Sequence, residues 1–184
     1  MLKVGMTKSE IEKEISSKGT FVQIDYLTRF LKEPLTMDMK KFIYLKLGEV
    51  YERINMFKEA AKMYENMANF SITFVEKIKH HMRSVEAYAK GGDVVGGEDA
   101  MKKAMSQANS VQREEIYQQT LRIYKAQADT FEKSMKRTNA VQIYEKLLEM
   151  RIGEMERGVI REKLRVLYEN LGRRKELHGL ERKK

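Results

Sequence analysis

Residues 41–68 read KFIYLKLGEVYERINMFKEAAKMYENMA, and their apolar pattern decides the fold class. Phe42, Ile43, Leu45, Leu47, Val50, Tyr51 and Ile54 recur at three-and-four spacing, which places them on one broad face of a helix. Asn55 and Met56 interrupt the run, and a second helical pattern follows in Phe57, Ala60, Ala61, Met63, Tyr64, Met67 and Ala68. Two short amphipathic helices with so brief a connection are expected to be antiparallel neighbours. Gly48 and Ala60 are small enough for the two backbones to approach, and Tyr51 and Tyr64 are large enough to fill the space beside them.

The pattern recurs along the chain. Tyr51 has counterparts at Tyr88, Phe131 and Tyr168, at intervals of 37, 43 and 37 residues. Tyr124, Ala128, Phe131, Ala140, Tyr144 and Leu147 repeat the order of large and small residues well. Val85, Tyr88, Gly97, Met101 and Ala104 repeat it loosely, and Leu164, Tyr168, Leu171, Gly172 and Leu177 keep its outline at the end. A second register, Ala60, Ala100 and Ala140 at an even 40, stays open for the second unit.

Tyr44-x2-Leu47-Gly48-x2-Tyr51 followed by Ala60-x3-Tyr64 resembles the tetratricopeptide signature W-x2-L-G-x2-Y then A-x3-F, with Tyr in place of the leading Trp and the final aromatic. The closing Pro of that signature is absent, and Ile72 stands in its place. The intervals exceed the usual tetratricopeptide period of roughly 34 and are similar to those of soluble NSF attachment proteins, whose units carry extra helical turn. The resemblance implies an all-α, right-handed solenoid of antiparallel helix pairs, with about ten helices. It also implies a groove lined by the first helix of each pair.

The expected organisation is one helical-repeat domain over residues 1–184. Residues 1–35 form a divergent N-terminal pair or cap, followed by repeat-like pairs at 36–70, 71–110, 111–152 and 153–184. Thr7 with Glu10 makes a capping box for a first helix to about Ser17, and Gly19 ends it. A second helix after Thr20 carries Phe21, Ile24, Leu27, Phe30 and Leu31 on one face until Glu33 and Pro34 stop it. Thr36 caps the helix that enters the central hairpin, and Thr73 with Glu76 caps the next. Further helices are expected from near Gly97 to Asn109, from Val111, capped by Ser110, to about Met135, and from Thr138-Asn139 to about Met150.

Composition agrees with this class. Charged residues make up 34% and hydrophobic residues 42%, so the chain can bury a core while keeping a heavily solvated surface. There is no cysteine, which excludes a disulfide framework, a zinc ribbon and thiol catalysis. The start MLKVGMTKSEIEKE lacks an apolar signal core and no run approaches about 20 apolar residues, so no membrane span and a cytoplasmic location are expected. Nothing in the pattern sets an oligomeric state.

Chemistry is poorly represented. Residues 91–99, GGDVVGGED, hold two G-x4-G spacings, but Glu98 and Asp99 follow Gly97 where a phosphate-binding loop places Lys and Ser or Thr. A helix–helix turn is the better reading. His80 and His81 sit mid-helix, and Glu76 lies one turn before His80, but adjacent histidines diverge by about 100° and no second ligand pair completes a metal site. His178 stands alone. The reading is therefore no catalytic residue, no metal, no cofactor and no enzyme.

The groove implied by the resemblance presents Phe42, Leu45, Glu49 and Glu52, then Lys79, Met82, Glu86 and Ala89. Arg122, Lys125, Asp129 and Glu132 follow, and Glu162, Val166 and Glu169 close it. Leu45, Glu49, Met82 and Glu86 stand where chaperone-tail-binding members of the family carry Lys and Asn, so a carboxylate clamp is not expected. Glu49, Glu86 and Asp129 instead form an acidic row suited to a basic or amphipathic segment of a protein or peptide, with Phe42, Leu45 and Met82 as apolar anchors. The plain alternative is a solvated face balanced by Arg53, Lys90 and Lys133.

Charge supports a second reading. Residues 161–184 hold nine Lys/Arg against four Asp/Glu, more than half of the net +9, with clusters at Arg173, Arg174 and Lys175 and at Arg182, Lys183 and Lys184. Closely spaced cations suit phosphates, so an RNA- or ribosome-associated accessory role is the alternative to a non-enzymatic protein-interaction scaffold.

Overall fold

The computed structural model describes residues 2–181. Among them ten helices follow one another with no strand: α1 (Lys8–Ser16), α2 (Thr20–Phe30), α3 (Met37–Arg53), α4 (Phe57–Asn69), α5 (Phe74–Gly91), α6 (Val94–Ser106), α7 (Ser110–Lys133), α8 (Arg137–Glu149), α9 (Glu154–Leu171) and α10 (Arg174–Glu181). No described helix is long and apolar enough to cross a membrane.

Local capping sets the starts. Thr7 and Glu10 form the reciprocal box at α1, and Thr36 and Thr73 accept the backbone N–H of Met39 and Glu76. Two starts differ from expectation. Asp93 accepts from the Gly96 N–H at 2.9 Å, so α6 begins at Val94 and Gly96 and Gly97 lie in its first turn, not in a loop. Asn109, whose backbone is extended, forms a reciprocal box with Gln112 and displaces Ser110 into the helix. On α2 the expected apolar face is only partly used: Phe21 is 75% exposed, while Leu27 and Phe30 are buried. Gln23 is buried beside them with both ends of its amide bonded, to the Lys18 carbonyl and to the Arg53 guanidinium.

The repeat interval is built into the turns. Asn55, Gly92, Met135 and Gly172 all adopt the left-handed conformation, at φ of 59°, 74°, 58° and 67°. Each follows Tyr51, Tyr88, Phe131 or Tyr168 by four residues. In each turn the next residue's N–H returns to that aromatic residue's carbonyl at 2.9 Å, which satisfies a carbonyl left over at the helix end. The 37, 43 and 37 intervals are thus intervals between identical turns. Counting from these turns places Gly97, not Ala100, at the position of Ala60 and Ala140. Gly97 is needed there, because a Cβ would lie 2.6 Å from the Tyr124 hydroxyl. Gly48 is needed likewise, since a Cβ would meet the Tyr64 ring.

Two apolar clusters hold the chain. Ile11, Ile15, Leu27 and Phe30 pack with Ile43, Leu47 and Val50 of α3. The larger cluster runs from α4 to α9, and α3 contributes Tyr44, Leu45 and Tyr51 to its edge. α3 is therefore buried on two sides, and the N-terminal pair covers the one that the repeats leave open. Contacts join α3 to α4, α4 to α5, α5 to α6, α7 to α8 and α8 to α9, with α5 also touching α7.

Candidate interaction face

The first helices of successive pairs are stitched to one another by ion pairs. Lys41 meets Glu76 at 3.6 Å, Arg83 meets Glu49 at 3.8 Å and Lys90 meets Glu52 at 3.7 Å, so α3 and α5 run side by side in one direction. Lys125 with Glu156, and Lys163 with Asp129 and Glu132, do the same for α7 and α9. The carboxylates expected to await a partner are in large part held from within. Glu86 adds an ion pair to Lys90 on its own helix, and Arg165 takes both Glu162 and Glu169.

Two of these contacts are versions of one cluster. The Arg83 guanidinium lies 4.4 Å from the centre of the Tyr64 ring and faces Glu49. Exactly the same offsets join Lys163, Tyr144 and Asp129: every member lies 80 residues after its counterpart, and Glu52 and Glu132 share that offset. In the second cluster the Lys163 ammonium donates to Asp129, to Glu132 and to the Tyr144 oxygen, and the Tyr144 hydroxyl shares its one hydrogen between Asp129 at 2.9 Å and Glu132. Burial works against the charge on Lys163, yet these bonds raise its pKa. Lys163 in turn holds the Asp129 carboxyl below the usual carboxylate range. Burial and the Glu132 bond push the Tyr144 hydroxyl up. Neither Arg83 nor Lys163 was among the expected groove residues, although comparing the sequence with itself at an offset of 80 exposes both.

The expected apolar anchors fare differently. Phe42 packs into the N-terminal cluster with Lys8 and Lys46 5.7 Å from its ring centre, so it is an anchor for α1 rather than an open groove residue. Leu45 is half-buried against the main core, and Ala89 is buried. Arg53, expected to balance the acidic row, instead donates to Gln23. Met82 is 5% exposed and forms part of a cleft floor. Arg122 is exposed and has no ion pair among the described residues. Arg174 and Lys175 are exposed and Arg173 is half-buried. Arg182, Lys183 and Lys184 lie outside the described residues.

A cleft of about 650 Å³ opens on this face between α5 and α7 and reaches Glu52 of α3. Buried Met82 and Ile116 with half-buried Ile78 and exposed Val75 give it an apolar strip, and Lys79, Arg83, Glu86, Lys90, Glu115 and Gln119 make the rest of its lining polar. No ion pair or hydrogen bond joins α5 to α7 among the described residues, whereas behind them Lys146 of α8 bonds Glu98 of α6 at 2.7 Å. The middle seam is held at the back and open at the front. A second cleft of about 500 Å³ lies between the end of α7 and α9, where Met135, Val159 and Val166 are 64%, 55% and 43% exposed.

His81 is buried with an unbonded Nδ1, and its surroundings include Glu65, Lys103, His80 and Lys77. Burial lowers its pKa, and that of the half-buried His80 beside it. No group of three or more His, Cys, Asp or Glu side chains among the described residues could hold a metal ion.

No family model, no curated protein and no solved structure matches this chain.

Proposed function

We propose that this chain is a non-enzymatic, cytoplasmic interaction scaffold that binds a segment of a partner protein on the face carried by α3, α5, α7 and α9. The observation that carries the reading is the cleft at the one seam of this face that no ion pair bridges among the described residues. An array of short helix pairs presents such a face because each unit contacts mainly its neighbours, leaving one row of helices exposed to a ligand. The fold is read as a right-handed solenoid of antiparallel pairs like that of tetratricopeptide arrays, supported by the parallel first helices and the four identical turns between helices. Fold alone does not select a function, so the face must be tested directly.

The test is site-specific photo-crosslinking in cells, with a photoreactive residue at Val75 or Gln119 on the cleft and at Lys62 or Gln142 on the second helices. Crosslinks to a protein from the first pair only support the scaffold. Crosslinks from the second pair only, or from neither, overturn it. A second reading, contact with RNA through Arg173, Arg174 and Lys175, draws on the absence of ion pairs at these three residues among those described. Loss of the crosslinked partner on nuclease treatment, and on replacing the three by Gln, would favour it.

A further inference from the structure

The cluster that closes the first and third seams is dismantled at the middle one. Counting 43 residues on from Arg83, or 37 back from Lys163, gives Ala126, an exposed alanine with no charge to offer. Counting 37 residues on from the first cluster, or 43 back from the second, puts Met101 where Tyr64 and Tyr144 stand, and Ala89 where Glu52 and Glu132 stand. Only the first carboxylate survives, as Glu86. Its side chain is 52% exposed, and its ion-pair partner among the described residues, Lys90, comes from its own helix and also meets Glu52. Glu86 thus rims the α5–α7 cleft without the cross-seam cation that its counterparts have.

We propose that a partner supplies that cation: an amphipathic helical segment lays its apolar side chains on Val75, Ile78, Met82 and Ile116 and directs a Lys or Arg at Glu86. Glu115 on the α7 side of the same cleft has no ion pair among the described residues and offsets Lys79 on the α5 side, which has none either, so Glu86, sharing Lys90 with Glu52, leaves the cleft short of one cation. A cleft of about 650 Å³ has room for several apolar side chains, the usual content of a helix-in-groove contact. The net charge of +9 repels a basic segment at long range, so recognition rests on the local pair and the apolar contacts. This inference rests on the scaffold reading and names the chemistry of its ligand.

The experiment uses the full chain and an 18-residue fluorescein-labelled helical peptide with a Leu face and a Lys/Arg polar face, beside a control with the same Leu face and Glu instead. The basic probe should bind at least tenfold tighter than the control, and Glu86→Gln should weaken it at least tenfold. Ala126→Lys, which restores the cation within the chain, should weaken probe binding at least tenfold while keeping or raising the Tm. Equal binding of the acidic control, or parent-like binding by Ala126→Lys, overturns the proposal. A benzophenone on the probe separates the two readings: crosslinks to α3 or α9 sink this inference and leave the scaffold standing, whereas crosslinks only to α4, α6 or α8 sink both.

Discussion

Lys163 lies 5.0 Å from the centre of the Tyr144 ring, and eighty residues earlier Arg83 lies 4.4 Å from that of Tyr64. In both places the cation comes from the first helix of the following pair, so the contact joins two units rather than bracing one. A cation over an aromatic face contributes about 0.5–2 kcal/mol, and here it also separates carboxylates that would otherwise repel.

Lys163→Met should therefore lower stability by about 1 kcal/mol, a modest figure because the lysine side chain is 35% exposed. The depressed Asp129 carboxyl contributes stability that is present above the ordinary carboxylate range and lost as pH falls below it. Urea titrations in steps from pH 7 to pH 2 check both points, since the parent should keep its advantage over the variant down to the ordinary carboxylate range and lose it only as the pH falls through the depressed Asp129 carboxyl.

Ala60 is fully buried on α4, and α4 packs against both α3 and α5. Ala60→Arg must drive a charge into that contact and should destabilise by more than about 3 kcal/mol, or prevent folding. Lys62→Arg, at an exposed position two residues on, serves as the control. Thermal melts of the two variants give the answer, and a parent-like Tm for Ala60→Arg would refute the packing.

Met135 holds a left-handed conformation at φ 58° where the equivalent turns use Asn55, Gly92 and Gly172. A methionine there is strained by about 1 kcal/mol, whereas asparagine tolerates the region. Met135→Asn should stabilise by about 0.5–1 kcal/mol and raise the Tm by a few degrees, while Met135→Val should lower it.

Burial lowers the pKa of His81, and also of His80. The unfolded chain therefore binds protons at these sites before the folded one does, and stability falls as pH drops below about 6.5, the ordinary histidine value. His81→Leu should flatten that fall between pH 7.5 and 5.5 in denaturant titrations. An unchanged slope would show that His81 is not the titrating group.

The helices were legible because their signals are local. Thr7 with Glu10, and Thr36 and Thr73, mark their helix starts from within one turn. The glycines after Asp93 mask its capping signal and read as a loop, yet the close approach of Tyr124 explains why Gly97 belongs in a helix. Phe21 departs from its expected buried face for a different reason. Apolar periodicity assigns a face to α2 but not the width of the surface that covers it, and α3 covers only part.

The sequence by itself determined most of the helices and the intervals between the recurring aromatic residues, since caps and apolar spacing act within a few residues of the backbone they shape. Only the tertiary structure decided which charges on the interaction face are already taken. Glu49 and Asp129 meet cations 34 residues away while Glu86 meets only its own helix, and that difference depends on which helices are brought side by side. Ion pairing acts over a few ångströms of space whatever the separation in sequence, so the open seam shows only once the chain is folded.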